Sequence, residues 1–296
     1  MKQINRNPVT WLPPGLLLLV MLSSGCAAMA SRPTETTVKN DVQQAASEEA
    51  SADAALRAGN ENKALMGYVA ALQLDPENAG IRYKIGQIHM RREDYPAAAQ
   101  AFGDVLRTQP RHAGSLEGMG LILLKNRKLD QAGDHLQRSV ALDGQRWRAY
   151  NGLGVIADLR RTPDTARTYY QKALALQPEV SMLHNNLGYS RYLAGDYRMA
   201  VLHFERALAA DPDNRTAWAN LALARVRLGD EQGGVTAFVE IMEPYRAHNN
   251  VGYLLYMSGQ SDKARAHLEQ AIELSPSYYA LAQQNLERVG VAQTGK

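Results

Sequence analysis

Along this chain, small, bulky and chain-breaking positions return at one fixed interval. Gly86, Gly120, Gly154 and Gly188 are each 34 residues apart. Leu116, Tyr150 and His184 sit four positions before their glycines. Ala98, Ala132, Ala166 and Ala200 come twelve after, and Phe102, Leu136, Tyr170 and Phe204 sixteen after. Pro110, Gly144, Pro178 and Pro212 follow at twenty-four. A small residue on each of two helices lets their backbones approach. A bulky side chain then fills the gap between neighbouring pairs, and Pro or Gly ends the second helix. A period of this length predicts stacked helix-turn-helix units rather than one globular enzyme core.

Carried backward, the phase passes through Ala52, Ala64, Tyr68, Ala71 and Pro76. Carried forward, it passes through Trp218, Ala222, Phe238, His248, Gly252, Ala264, Leu268, Ala271 and Pro276. This spacing resembles the tetratricopeptide repeat, with its large residue, Leu-Gly, Ala, Phe/Tyr, Ala and Pro. The resemblance covers residues 45–278 as seven repeats, starting near Ala45, Ala79, Ala113, Trp147, Ser181, Arg215 and Tyr245. It implies an all-α, right-handed solenoid closed by a C-terminal capping helix and tail over 279–296.

The sixth unit departs from the pattern. Its anchor Ala222 and the next anchor Gly252 are 30 apart, about one helical turn short. It carries Gly233-Gly234 where a helix should pack, and Pro244 two places early. A truncated second helix is expected there, with a change of stacking between units six and seven. Beyond Pro276, Tyr278 to Val289 reads as a last helix. Leu281 and Leu286 are expected inward, with Gln283, Gln284, Glu287 and Arg288 outward. A terminal repeat needs such a polar-backed cap.

The N-terminus carries a second signal. Lys2 and Arg6 precede a short apolar run, Gly15 to Leu22, far shorter than a bilayer-spanning helix. The run ends in Leu22-Ser-Ser-Gly-Cys26, which resembles a bacterial lipobox. That resemblance implies a signal peptide over 1–25 and an acylated Cys26, the chain's only cysteine. Ala27, where an Asp would favour inner-membrane retention, points to the outer membrane and a periplasm-facing body. An ordinary secretory signal cut near Ala28 or Ala30 is the alternative. Residues 26–44 then form the lipid-bearing tether, polar as far as Asn40, with helix expected from Asp41.

Charge adds little. Loss of residues 1–25 removes Lys2 and Arg6 from 33 basic side chains, against 30 acidic ones. That near-zero balance argues against nucleic acid as a partner. Arg160-Arg161 and the cluster Arg146, Arg148 are placed in loops, as solvated charge. The seven histidines form no HExxH frame, and no phosphate-binding loop or GxSxG elbow is present. No catalytic residue, metal, cofactor or small-molecule substrate is therefore expected. His184 and His248 are expected to pack between helices.

In tetratricopeptide arrays the first helix of each pair lines the inner groove. By that resemblance the groove here presents Leu121, Leu124, Asn151, Val155, Met182, Asn185, Asn186, Tyr189, Tyr192, Asn220, Leu223, Arg227, Arg246, Asn249, Asn250, Tyr253 and Tyr256. The strings His184-Asn-Asn-Leu-Gly-Tyr189 and His248-Asn-Asn-Val-Gly-Tyr253 nearly coincide. An Asn amide can pair with any peptide backbone, and Tyr adds rigid apolar area with a polar tip. The Lys/Asn/Lys/Arg clamp that grips C-terminal carboxylates in other arrays is not matched. Lipobox, tether and all-repeat body together resemble TadD, the lipoprotein of the Flp, or tight-adherence, pilus machinery. That resemblance implies a pilotin-like assembly factor whose partner is the secretin or another pilus protein. A periplasmic adaptor regulating a peptidoglycan hydrolase or protease is the alternative.

Overall fold

The computed structural model describes residues 35–294, and among them there is no strand. The signal-like segment, Cys26 and the tether as far as residue 34 lie outside the described residues. Seven helix pairs follow one another. The first two are α1 (Glu35–Arg57) with α2 (Glu61–Leu74), and α3 (Ala79–Arg91) with α4 (Tyr95–Thr108). Then come α5 (Ala113–Lys125) with α6 (Leu129–Leu142), and α7 (Trp147–Leu159) with α8 (Pro163–Leu176). The last three are α9 (Ser181–Leu193) with α10 (Tyr197–Ala210), α11 (Arg215–Arg227) with α12 (Glu231–Val239), and α13 (Pro244–Met257) with α14 (Ser261–Leu274). A final helix, α15 (Ala280–Thr294), closes the array. Units two to six begin at the residues expected from the repeat phase.

The anchor glycines show why this register holds. A Cβ built on Gly86 would lie 2.6 Å from the Phe102 ring, and one on Gly154 2.6 Å from the Tyr170 ring. Gly188 meets Phe204 at 2.7 Å and Gly252 meets Leu268 at 2.8 Å in the same way. The residue sixteen places on thus fills the space that the missing side chain leaves on its own unit's first helix. Phe102 also lies against Gly118, and Leu136 against Gly152, on the next unit's first helix. One bulky side chain therefore locks three helices. These residues are fully buried, as interdigitated cores require.

Local chemistry sets the helix ends. Asn60, Asn78, Asp94, Asp196, Asn214 and Asp230 each accept a hydrogen bond from the N–H three residues on. His112 does the same with its Nδ1, at 3.1 Å from the Ser115 nitrogen. The turn inside each unit passes through a left-handed residue. It is glycine at Gly59, Gly195, Gly229 and Gly259, but Glu93, Arg127 and Arg161 elsewhere, with φ of 58° to 59°. Polar tips at the fourth position of a unit tie back to the preceding proline. Trp218 Nε1 donates to the Pro212 carbonyl at 2.8 Å, and Arg82 bonds the Pro76 carbonyl.

Three expectations change. The first helix begins at Glu35, ahead of the Asp41 start, so much of the segment read as a tether is helical. Its run of Glu, Gln, Lys and Ala favours helix once it can pack on α2. The short sixth unit does have a truncated second helix, of 9 residues. Its Gly234 is buried at the crossing with α11, where a Cβ would sit 2.5 Å from Val226 Cγ2. Pro244, however, opens α13 rather than closing α12, in the first turn where a missing N–H costs nothing. In the cap, Leu281 is 49% exposed, and the inward stripe is Ala282, Asn285 and Val289, with Leu286 half-buried.

Candidate functional site

The backbones of successive first helices approach one another from α3 through α15, whereas second helices of successive units meet only through long side chains, as Lys263 of α14 does with Glu231 of α12. First helices therefore form the tighter, inner layer. In units five to seven this layer exposes apolar and aromatic groups. Tyr189 is 43% and Tyr253 40% exposed, and Met182, Leu193 and Met257 are exposed beside them. Tyr192 and Tyr256 are half-buried. The Tyr189 and Tyr192 rings stack with centroids 6.2 Å apart, and Tyr192 tilts against Tyr197 at 5.3 Å. Arg227 ties the wall together. Its Nε donates to the Tyr192 hydroxyl at 3.3 Å and its Nη1 to Ser258 Oγ at 3.0 Å. Arg246 is exposed and its Nε donates to its neighbour Tyr245 at 3.1 Å.

The asparagines behave differently from the expectation. Asn186 Nδ2 donates to Asn151 Oδ1 at 2.9 Å, and Asn220 Nδ2 to Asn185 Oδ1 at 3.0 Å. Asn285 of the cap donates to Asn249 Oδ1 at 3.0 Å. Asn250 is half-buried, with its amide at 3.3 Å from Met242 Sδ. Asn151 and Asn249 are buried and join one unit to the next, which leaves little of either open to a ligand. Buried amides need such partners. Asn185, Asn186 and Asn220 keep part of their surface but use one group each on a neighbour. The wall is therefore read by its rings and aliphatic chains more than by its amides.

Each His-Asn-Asn string also places a buried histidine against another on the second helix of its unit. His184 Nδ1 lies 3.5 Å from His203 Nδ1, and His248 Nδ1 3.0 Å from His267 Nδ1. His184 Nε2 lies 2.9 Å from the Pro178 carbonyl, which can only accept. Nε2 therefore carries the proton, Nδ1 of His184 accepts, and His203 donates. Burial, with His184, Arg206 and Arg191 nearby, brings the His203 imidazole down to about 4, against the pull of Asp196. Burial and then His267 lower His248.

A second feature of the inner face was not legible in the sequence. A cleft of about 280 Å³ opens between α3, α5 and α7, with Tyr83, Met90, Phe102, Glu117, Leu121 and Arg148 around it. Arg148 lies within α7 rather than in a loop as expected, whereas Arg146 is the loop residue just before the helix and makes no side-chain capping bond. Burial raises the Glu117 carboxyl above its ordinary range, although Arg146 and Arg148 pull it down. Gly114 and Gly118, one turn apart on α5, were the available signal: their missing side chains admit Tyr83 and Phe102. Among the described residues no group of three or more His, Cys, Asp or Glu is placed to hold a metal ion, and no helix is long and apolar enough to cross a membrane.

Two family models, both described as tetratricopeptide repeat, match the chain. One covers residues 49–115 and 117–181, the other 181–214 and 245–278. Together they span well over half of the sequence. No curated protein matches it. Among solved structures, a chain of the APC/C hetero-tetramer Cut9-Hcn1 is similar with a TM-score of 0.59 at 20% identity, over 80% of this chain and 48% of that one. Pseudomonas aeruginosa pilF is similar with a TM-score of 0.53 at 17% identity, over 87% of this chain and 100% of that one. YrrB, described as a TPR protein with an unusual peptide-binding site, has a TM-score of 0.51 at 21% identity, over 63% of this chain and 98% of that one. At these identities the likeness concerns the fold alone.

Proposed function

The chain belongs to the tetratricopeptide repeat family, whose solenoids are in general non-catalytic scaffolds for other proteins, and from that premise we propose a pilotin-like role in Flp pilus assembly. In this reading Cys26 carries the lipid, the outer membrane holds the chain from its periplasmic side, and the inner wall of units five to seven grips the secretin. The observation that carries it is the wall itself. Two tyrosines at matching repeat positions, Tyr189 and Tyr253, are each about two-fifths exposed, with Met182, Leu193 and Met257 exposed on the same first helices. Half-exposed rings offer apolar area at low entropic cost, as binding surfaces do. The lipobox-like Leu22-Ser-Ser-Gly-Cys26 supports the membrane part of the reading.

Two outcomes follow. Tyr189→Ala with Tyr253→Ala should cut secretin co-purification by about a hundredfold, a few kcal/mol for two anchor residues. The melting temperature should hardly change, because both rings leave the core uncut. Normal co-purification of the double variant would refute the wall. Capture of a peptidoglycan hydrolase or protease in place of the secretin would favour the adaptor reading. Separately, Cys26→Ser should release the protein from the outer-membrane fraction, since stable anchoring rests on more than one acyl chain. Full retention of that variant through a salt wash would rule out the anchor.

A further inference from the structure

The cleft between α3, α5 and α7 lies on the same inner face as the tyrosine wall but in units two to four. Its chemistry is different. Met90, Leu121 and the Phe102 ring give it apolar sides, and Tyr83 also lines it. Arg148 is exposed, with its guanidinium 4.3 Å over the Trp147 ring. The neighbouring guanidiniums are already engaged. Arg146 Nε bonds Asp143 at 2.7 Å, and Arg91 Nε bonds Glu61 at 2.7 Å. No carboxylate of the described residues stands within ion-pair distance of Arg148, and Glu117, the acid of the cleft, faces it only at longer range. Ring stacking holds a guanidinium in place while leaving its N–H edge free for a planar oxyanion. The volume of about 280 Å³ is at the low end for ligand sites, enough for one or two side chains.

We propose that this cleft docks a short segment of a partner protein in which a bulky apolar side chain neighbours a carboxylate. The apolar group packs on Met90, Leu121 and Phe102. The carboxylate takes the free edge of Arg148. The site stands apart from the wall of units five to seven and does not depend on the identity of that wall's partner.

The test uses the mature chain and three fluorescein-labelled, end-blocked hexapeptides: alternating leucine and aspartate, leucine and lysine, and serine and aspartate. Fluorescence anisotropy should show the leucine–aspartate peptide binding at least about tenfold more tightly than the other two. Its binding should also change the fluorescence of Trp147, which an unlabelled copy would report. Arg148→Glu, an exposed position where folding is checked by melting, should lose that peptide and gain the leucine–lysine one. Arg148→Gln should lose the first without gaining the second. The Tyr189→Ala, Tyr253→Ala variant should bind the peptide normally, which separates this site from the wall. Equal binding of the two charged leucine peptides, or an unchanged Arg148→Glu variant, would overturn the proposal. Displacement of the peptide by succinate at matching concentrations would overturn it too, by making the cleft a small-acid site.

Discussion

Gly154→Leu should lower the melting temperature of this protein by about 10 °C. The new Cβ alone would stand 2.6 Å from the Tyr170 ring, and the ring has nowhere to go. Tyr170 is 1% exposed. Its hydroxyl donates to Asp158 Oδ2 at 2.9 Å, and Asp158 Oδ1 accepts from Ser190 Oγ at 2.7 Å. Burial raises the Asp158 carboxyl, and these two donors are what hold it down. Moving the ring therefore breaks a bond to a buried acid as well as overpacking the crossing. Overpacking costs about 1–3 kcal/mol and a lost bond to a charged group about 1.5–3 kcal/mol. For a chain of this size each kcal/mol lowers the melt by roughly 2–4 °C. The damage should start locally, because each unit touches only its neighbours. Hydrogen exchange should speed up first in α7, α8 and α9. Gly133→Ala is the control: its nearest neighbour, Ile156 Cδ1, is 4.0 Å from the new Cβ, so stability should hold or rise slightly. Similar melts for Gly154→Leu and Gly133→Ala would disprove this account of the repeat crossing.

That experiment probes the part of the molecule most legible in the sequence. Gly154, Ala166 and Tyr170 announce their contact by type and spacing, since only a small residue can face a ring at a close crossing. Helix starts at Ala79, Ala113, Trp147, Ser181 and Arg215 follow from the same phase. What the period does not carry is which polar groups meet between units. Asn185 and Asn186 look like free amides in a list of groove positions. In the fold they pair with Asn220 and Asn151, on the first helices of adjacent units. An asparagine has the same identity whether it faces a ligand or a neighbour, and only the stacking geometry separates the two. The cap shows the same limit. Leu281 was expected inward on apolarity alone, but α15 turns Ala282, Asn285 and Val289 to the array, where Asn285 donates to Asn249. The cleft at Arg148 escaped for a further reason: three units contribute to it, and Gly114 and Gly118 of unit three mark only a close approach of Tyr83 and Phe102, not an opening.

Stability should fall steeply between pH 6.5 and pH 4, and the histidine pairs should account for much of the slope. An unfolded imidazole titrates near 6.5, whereas His203 in the fold titrates at about 4. Between those values the unfolded chain binds a proton that the folded chain refuses. Stability is thus fully present above pH 6.5 and is lost as the pH drops toward 4. His203 alone should remove about 2 kcal/mol by pH 5. His112, His135 and His248 are lowered too, each chiefly by burial, so their contributions have the same sign. The groups around the pair sharpen the effect. Arg191 and Arg206 repel a charge on His203, and Asp196 offsets them only in part. Urea unfolding at pH 7.5 and pH 5.0 measures the loss directly. His203→Gln, whose amide can still donate to His184, should lose about 2 kcal/mol less than the parent over that interval. If parent and variant weaken in parallel, the pair carries none of the acid sensitivity, and the slope belongs to the other buried histidines.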